Sequence, residues 1–115
     1  MIDSMISRYV RRLNQRLMNF GTAPGEVRLP DPDPDRRYLL YLHIPFCVVL
    51  CPFCSFHRVE FQKDKARHYF EALQQEISGI TERGYRFNEI YIGGGTPTVM
   101  PEALAETIEL VAAMH

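Results

Sequence analysis

No apolar run in this 115-residue chain approaches the about 20 residues that cross a bilayer. The N-terminus also lacks the uninterrupted apolar stretch of a signal peptide. Excess charge of either sign is missing: 13 Lys and Arg stand against 14 Asp and Glu, for a net charge of −1. Nothing general therefore pulls the chain toward nucleic acid or an anionic membrane. Cysteine is sparse and odd in number, at three. With no sign of secretion, that count argues against a disulfide framework and for a cytoplasmic, reducing setting. Repeats and low-complexity tracts are absent. What remains, with 46% hydrophobic residues, suits one small globular domain.

The three cysteines lie within eight residues, as Cys47, Cys51 and Cys54. The spacing C-x3-C-x2-C puts three thiols on one loop. Thiolates are the usual protein ligands of iron–sulfur clusters, and three of them leave one iron of a four-iron cluster open to another ligand. Two other readings share the same residues. Cys51-Pro-Phe-Cys54 has the form of a redox pair. Adding His57 makes a CCCH set that could close a tetrahedral zinc site.

A second motif is Ile92-Gly-Gly-Gly-Thr-Pro-Thr98. Three consecutive glycines are poor helix or strand formers; they let the backbone approach a ligand closely, or they form a plain strand-to-helix turn.

Around these motifs, Ile2, Ile6, Tyr9, Val10, Leu13, Leu17 and Phe20 recur at helical spacing, predicting an amphipathic helix over residues 1–20. Its arginine-rich side is expected to be solvated, with the helix peripheral to the rest of the protein. Residues 21–37, rich in Pro and Asp, read as an extended linker. A strand is expected at 38–44, with Leu40, Leu42 and Ile44 on one face and Leu39, Tyr41 and His43 on the other. The cysteine loop then occupies 45–60. A helix is expected at 64–82, with Ala66, Tyr69, Phe70, Leu73, Ile77 and Ile80 as its apolar stripe. Asp64 is its expected N-cap and Gly84 its stop. A second strand at 88–92 leads into the glycine loop, and Pro101 opens a last helix continued by Leu104, Ile108 and Val111. The order strand, loop, helix, strand, loop, helix predicts an α/β fold with parallel strands. Both motifs then follow strand C-termini, the functional face of βα barrels.

The stretches Tyr41-Leu-His-Ile-Pro-Phe-Cys47, Cys51-Pro-Phe-Cys54 and Ile90-Tyr-Ile-Gly-Gly-Gly-Thr-Pro-Thr98 carry a family resemblance, over about residues 38–114. The chain resembles the radical S-adenosylmethionine (SAM) superfamily, and within it the oxygen-independent coproporphyrinogen III oxidase-like group. The resemblance implies the first two βα units of a partial (β/α)6 TIM-like barrel over residues 38–115, preceded by the N-terminal helix. It implies a 4Fe–4S cluster on Cys47, Cys51 and Cys54, with SAM on the fourth iron. It places Tyr41, Phe53, Gly94, Gly95 and Thr96 against SAM. It also implies a small-molecule substrate, possibly a tetrapyrrole, and a reductant such as flavodoxin or ferredoxin. His43 shares the face of Tyr41, and His57 reads as a loop residue rather than a ligand.

One departure bears on chemistry. The decarboxylating oxidases of the group carry a further cysteine two positions after the third, where this chain has Phe56. That argues against porphyrinogen decarboxylation. Haem-trafficking proteins, haem-degrading enzymes and radical methyltransferases on the same scaffold then stand as alternatives. Two of about six barrel strands are accounted for, so the chain is expected to be an N-terminal fragment, marginally stable and inactive alone.

Overall fold

The computed structural model describes residues 5, 6, 8–10, 12, 13, 28–55 and 57–114. The readings on residues 1–4, 7, 11 and 14–27, Ile2 and Arg11 among them, and on Phe56 lie outside these. The chain divides into two compact units, residues 1–30 and 31–115. In the first, the described residues between 5 and 13 are helical, and Ile6, Tyr9, Val10 and Leu13 are exposed.

The second unit opens with a folded turn rather than a plain extended linker. The Asp33 carboxylate accepts the Asp35 N–H at 3.0 Å, its carbonyl accepts the Arg36 N–H at 3.2 Å, and its own N–H donates to Tyr38 Oη at 2.8 Å. Aspartate does this readily because its short side chain reaches the backbone two residues on. Strand β1 follows at Tyr38–Ile44, and its burial alternates as the sequence predicts. Leu40, Leu42 and Ile44 are buried, while Leu39 and Tyr41 are exposed.

Within the expected loop 45–60 lies a pairing that no periodicity announces. Strand β2, Phe46–Cys47, runs parallel to β3, Val59–Glu60. The Val59 N–H donates to the Pro45 carbonyl at 2.7 Å and the Phe61 N–H to that of Cys47 at 2.9 Å. Two-residue strands are too short to show an alternation of period two.

Helix α1, Lys63–Glu82, starts one residue before the expected position. Its N-cap is Gln62, in extended conformation and without a side-chain cap bond, not Asp64. Asp64 lies inside the first turn, where its charge complements the helix dipole instead. The helix stops as expected: Gly84 takes φ of +97° and returns its N–H to the Thr81 carbonyl at 2.9 Å.

Strand β4 spans Phe87–Gly94 and pairs in parallel with β1. It therefore runs through the first two glycines, with Gly93 opposite His43 and Gly94 opposite Ile44. A single 3-10 turn at Pro97–Val99 leads to helix α2, Pro101–Ala113. Buried residues of both helices pack on one face of the β1–β4 pair. One cluster joins Leu40 and Leu42 to Ile77 and Val111; a second joins Ile44 and Phe46 to Ala66 and Phe70. Ile92 packs against both clusters. Ile108, expected in the stripe of α2, is exposed at 38%; Thr107 is fully buried instead. The Thr107 hydroxyl donates to the Ala103 carbonyl at 2.7 Å and accepts from Gln74 Nε2 at 3.0 Å. Those partners are what let a hydroxyl occupy a core position.

Candidate metal and cofactor site

The parallel pairing brings the two motifs side by side at the C-terminal ends of β1 and β4. The Gly95 N–H donates to the Ile44 carbonyl at 2.8 Å, and the Thr96 N–H to that of Phe46 at 2.7 Å. A Cβ on Gly95 would lie 2.5 Å from Cys47 Sγ and 2.6 Å from the Phe46 carbonyl oxygen. At Gly94, φ is +119° and a Cβ would strike the Ile44 carbonyl. Each glycine thus answers a specific backbone approach at the root of the cysteine loop. Thr96 is exposed beside it.

Cys47 sits on β2 and is partly buried. Cys51 and Cys54 lie on the arc between β2 and β3, Cys51 exposed and Cys54 partly buried, with the Cys54 N–H donating to the Cys51 carbonyl at 3.2 Å. All three are free thiols. Among the described residues no three His, Cys, Asp or Glu side chains converge as a ready-made metal site. The chemistry of the donor set still fits an iron–sulfur cluster. Three free thiols stand on one closed arc and carry no disulfide, and thiolate is the donor that iron–sulfur clusters take from protein. Val48, Val49, Leu50 and Phe53 project outward from the arc, Phe53 at 88% exposure.

On the open face of β1, Tyr41 stacks on Tyr91 with centroids 5.7 Å apart. Its hydroxyl shares a 3.0 Å hydrogen bond with His43 Nδ1. The His43 ring in turn lies 6.2 Å from that of His57. From the covered side, the Tyr69 hydroxyl donates a hydrogen bond to the His43 carbonyl. Burial, then the Glu76 carboxylate and Tyr41, hold the Tyr69 hydroxyl above its ordinary pKa. Sequence reasoning named Tyr41 and His43 but missed Tyr91 and the anchoring role of Tyr69. The pairing of Tyr91 with Tyr41 depends on strand register, which one strand's pattern cannot supply.

No helix among the described residues is long and apolar enough to cross a membrane. No solved structure matches the chain. The family model of the radical SAM superfamily matches residues 41–114, more than half the chain. The oxygen-independent coproporphyrinogen III oxidase of Bradyrhizobium diazoefficiens is 42% identical over 115 aligned residues, covering 87% of this chain and 25% of the relative. Anaerobilin synthase of Escherichia coli O157:H7 is 39% identical over 69 residues, covering 56% of this chain and 16% of the relative. The heme chaperone HemW of Bacillus subtilis is 42% identical over 64 residues, covering 54% and 17%. The chain spans a quarter or less of the length of these relatives. Both motifs lie inside the matched region, and on that match the chain belongs to the radical SAM superfamily, in its oxygen-independent coproporphyrinogen III oxidase-like group.

Proposed function

We propose that these residues form the cluster-binding and part of the SAM-binding portion of a cytoplasmic radical SAM oxidoreductase with a partial (β/α)6 barrel. The observation that carries the reading is the seating of Gly95 against Cys47, which makes one site of two motifs distant in sequence. Cys47, Cys51 and Cys54 would hold a 4Fe–4S cluster. Such a cluster, when bound, would supply the one-electron reduction of SAM on which hydrogen abstraction from a substrate depends in this superfamily. The chain's own part is binding and orientation. Gly94 and Gly95 present backbone free of side chains beside the cysteine arc, and Thr96 adds a hydroxyl there. Phe53 supplies an exposed ring for adenine. Tyr41 faces the open side of the sheet, where its ring can lie against SAM and exclude water. A tetrapyrrole-type substrate is supported by the names of the relatives, and a flavodoxin or ferredoxin would deliver the electron.

The test is anaerobic reconstitution with iron and sulfide of wild type and of Cys47→Ala, Cys51→Ala and Cys54→Ala. Each variant should lose the stable four-iron cluster; full iron and sulfide content in any of them would sink the assignment. Zinc bound in preference to a cluster would favour a CCCH module. A second reading, a haem-binding chaperone on the same scaffold, is favoured by Phe56 standing where a decarboxylating oxidase has cysteine. Haem titration distinguishes it: stoichiometric haem binding without formation of 5′-deoxyadenosine supports the chaperone.

A further inference from the structure

Gly93 has a role that neither ligand approach nor cysteine packing explains. It stands opposite His43 in the β1–β4 register, two residues along from the Tyr41–Tyr91 pair and on the same face of the sheet. A Cβ there would lie 3.0 Å from Tyr41 Oη, 3.1 Å from Tyr41 Cε2 and 3.4 Å from Tyr91 Cε1. The missing side chain leaves the gap into which the tip of the Tyr41 ring leans. Tyr91 closes the other side, its ring 28° from parallel with that of Tyr41. His43 takes the hydroxyl at 3.0 Å. Tyr41 is half-exposed at 49%, so without these neighbours its side chain would be free to change rotamer. Tyr91 is itself 62% exposed and contributes little to the core, which leaves a large aromatic side chain on an open strand face unaccounted for by packing.

We infer that Tyr91 and Gly93 are positioning residues that hold the Tyr41 ring in the orientation in which it meets SAM. The inference rests on the proposed contact between Tyr41 and SAM, and it deepens that reading by naming what fixes the ring. Offset stacking is the contribution expected of Tyr91; its hydroxyl is dispensable.

The test uses the full chain. Cluster-free protein labelled with 3-fluorotyrosine gives a fluorine resonance for Tyr41, assigned by its loss in Tyr41→Phe. Cluster-reconstituted protein gives SAM affinity by equilibrium dialysis. Tyr91→Leu should shift the Tyr41 resonance and weaken SAM binding by about two- to tenfold, the range of one aromatic pair. Tyr91→Phe should restore both, as a purely steric or folding defect would not. Gly93→Ala should also shift the Tyr41 resonance, because the ring must withdraw from the new methyl group. Circular dichroism checks that each variant folds. A Tyr41 resonance unmoved by Tyr91→Leu and Gly93→Ala overturns the inference. So does wild-type SAM affinity in Tyr91→Leu when Tyr41→Ala binds weakly. Wild-type affinity in Tyr41→Ala itself overturns the parent reading of Tyr41 instead, and the fluorine shifts then decide the ring positioning separately.

Discussion

The cysteine arc and the glycine run meet at the ends of β1 and β4, yet they are built in opposite ways. On the arc several apolar side chains point outward. Val48, Val49 and Phe53 are 67%, 73% and 88% exposed, and the arc is tied to the fold chiefly at its base, through the β2–β3 pairing. In the glycine run the side chains are missing, and the backbone is pressed against Ile44, Phe46 and Cys47. The arc therefore offers chemical groups that can change with little effect on the fold. The run offers geometry that cannot change without moving the strands. Two adjoining motifs can carry their information in different parts of the polypeptide, side chain in one and main chain in the other.

The largest effect should come from filling the run. Gly94→Val places a branched side chain at φ +119° and against the Ile44 backbone. It should destabilise the fold by about 3 kcal/mol or more. Denaturant unfolding measures this, and a wild-type midpoint would mean that the strands part easily there. Weakened SAM binding in this variant would thus report the strand packing before it reported any ligand contact.

Gly95→Ala comes next, at about 1–3 kcal/mol, because the new methyl meets the Phe46 carbonyl as well as Cys47 Sγ. Its distinguishing consequence is at the neighbouring thiol. Reconstituted iron content should fall even under conditions where circular dichroism shows the chain folded. Full iron in the folded variant would break the coupling between the two loops.

A smaller effect is expected of Tyr69→Phe, which removes the hydroxyl bonded to the His43 carbonyl. The loss should be about 1 kcal/mol at neutral pH. The pKa of Tyr69 is raised in the folded state, first by burial. Its contribution is therefore complete below the ordinary tyrosine pKa and is lost as pH climbs through the raised folded value. Stability of the wild type should drop across that alkaline window more than stability of Tyr69→Phe. Parallel pH profiles would show that this hydroxyl does not anchor the strand end.

The smallest stability effect belongs to the arc. Cys51 is exposed, so Cys51→Ser should shift folding stability by no more than about 0.5 kcal/mol. The same change should remove the reconstituted cluster. A marked loss of stability in the metal-free protein would show that the arc is structural and would erase the contrast with the glycine run.

Much of this was legible in the residues alone. The period-two pattern of Tyr38–Ile44 and the helical stripe from Ala66 to Ile77 place β1 and α1 to within a residue, because each buries one clean face. Gly84 marks the helix stop because few other residues accept its φ. The cysteines stand out through spacing, since their meaning lies in side-chain chemistry that folding does not alter. Other features needed a partner from far along the chain. The β2–β3 clasp, the extension of β4 through Gly93 and Gly94, and the stack of Tyr91 on Tyr41 all follow from register between strands. Local pattern cannot encode register, because it depends on which residues of a second strand arrive opposite the first. The sequence by itself determined which groups the site has; tertiary structure decided that Gly95 would lie against Cys47 and which neighbours surround Tyr41, because only packing of the helices on β1 and β4 sets those strands in line.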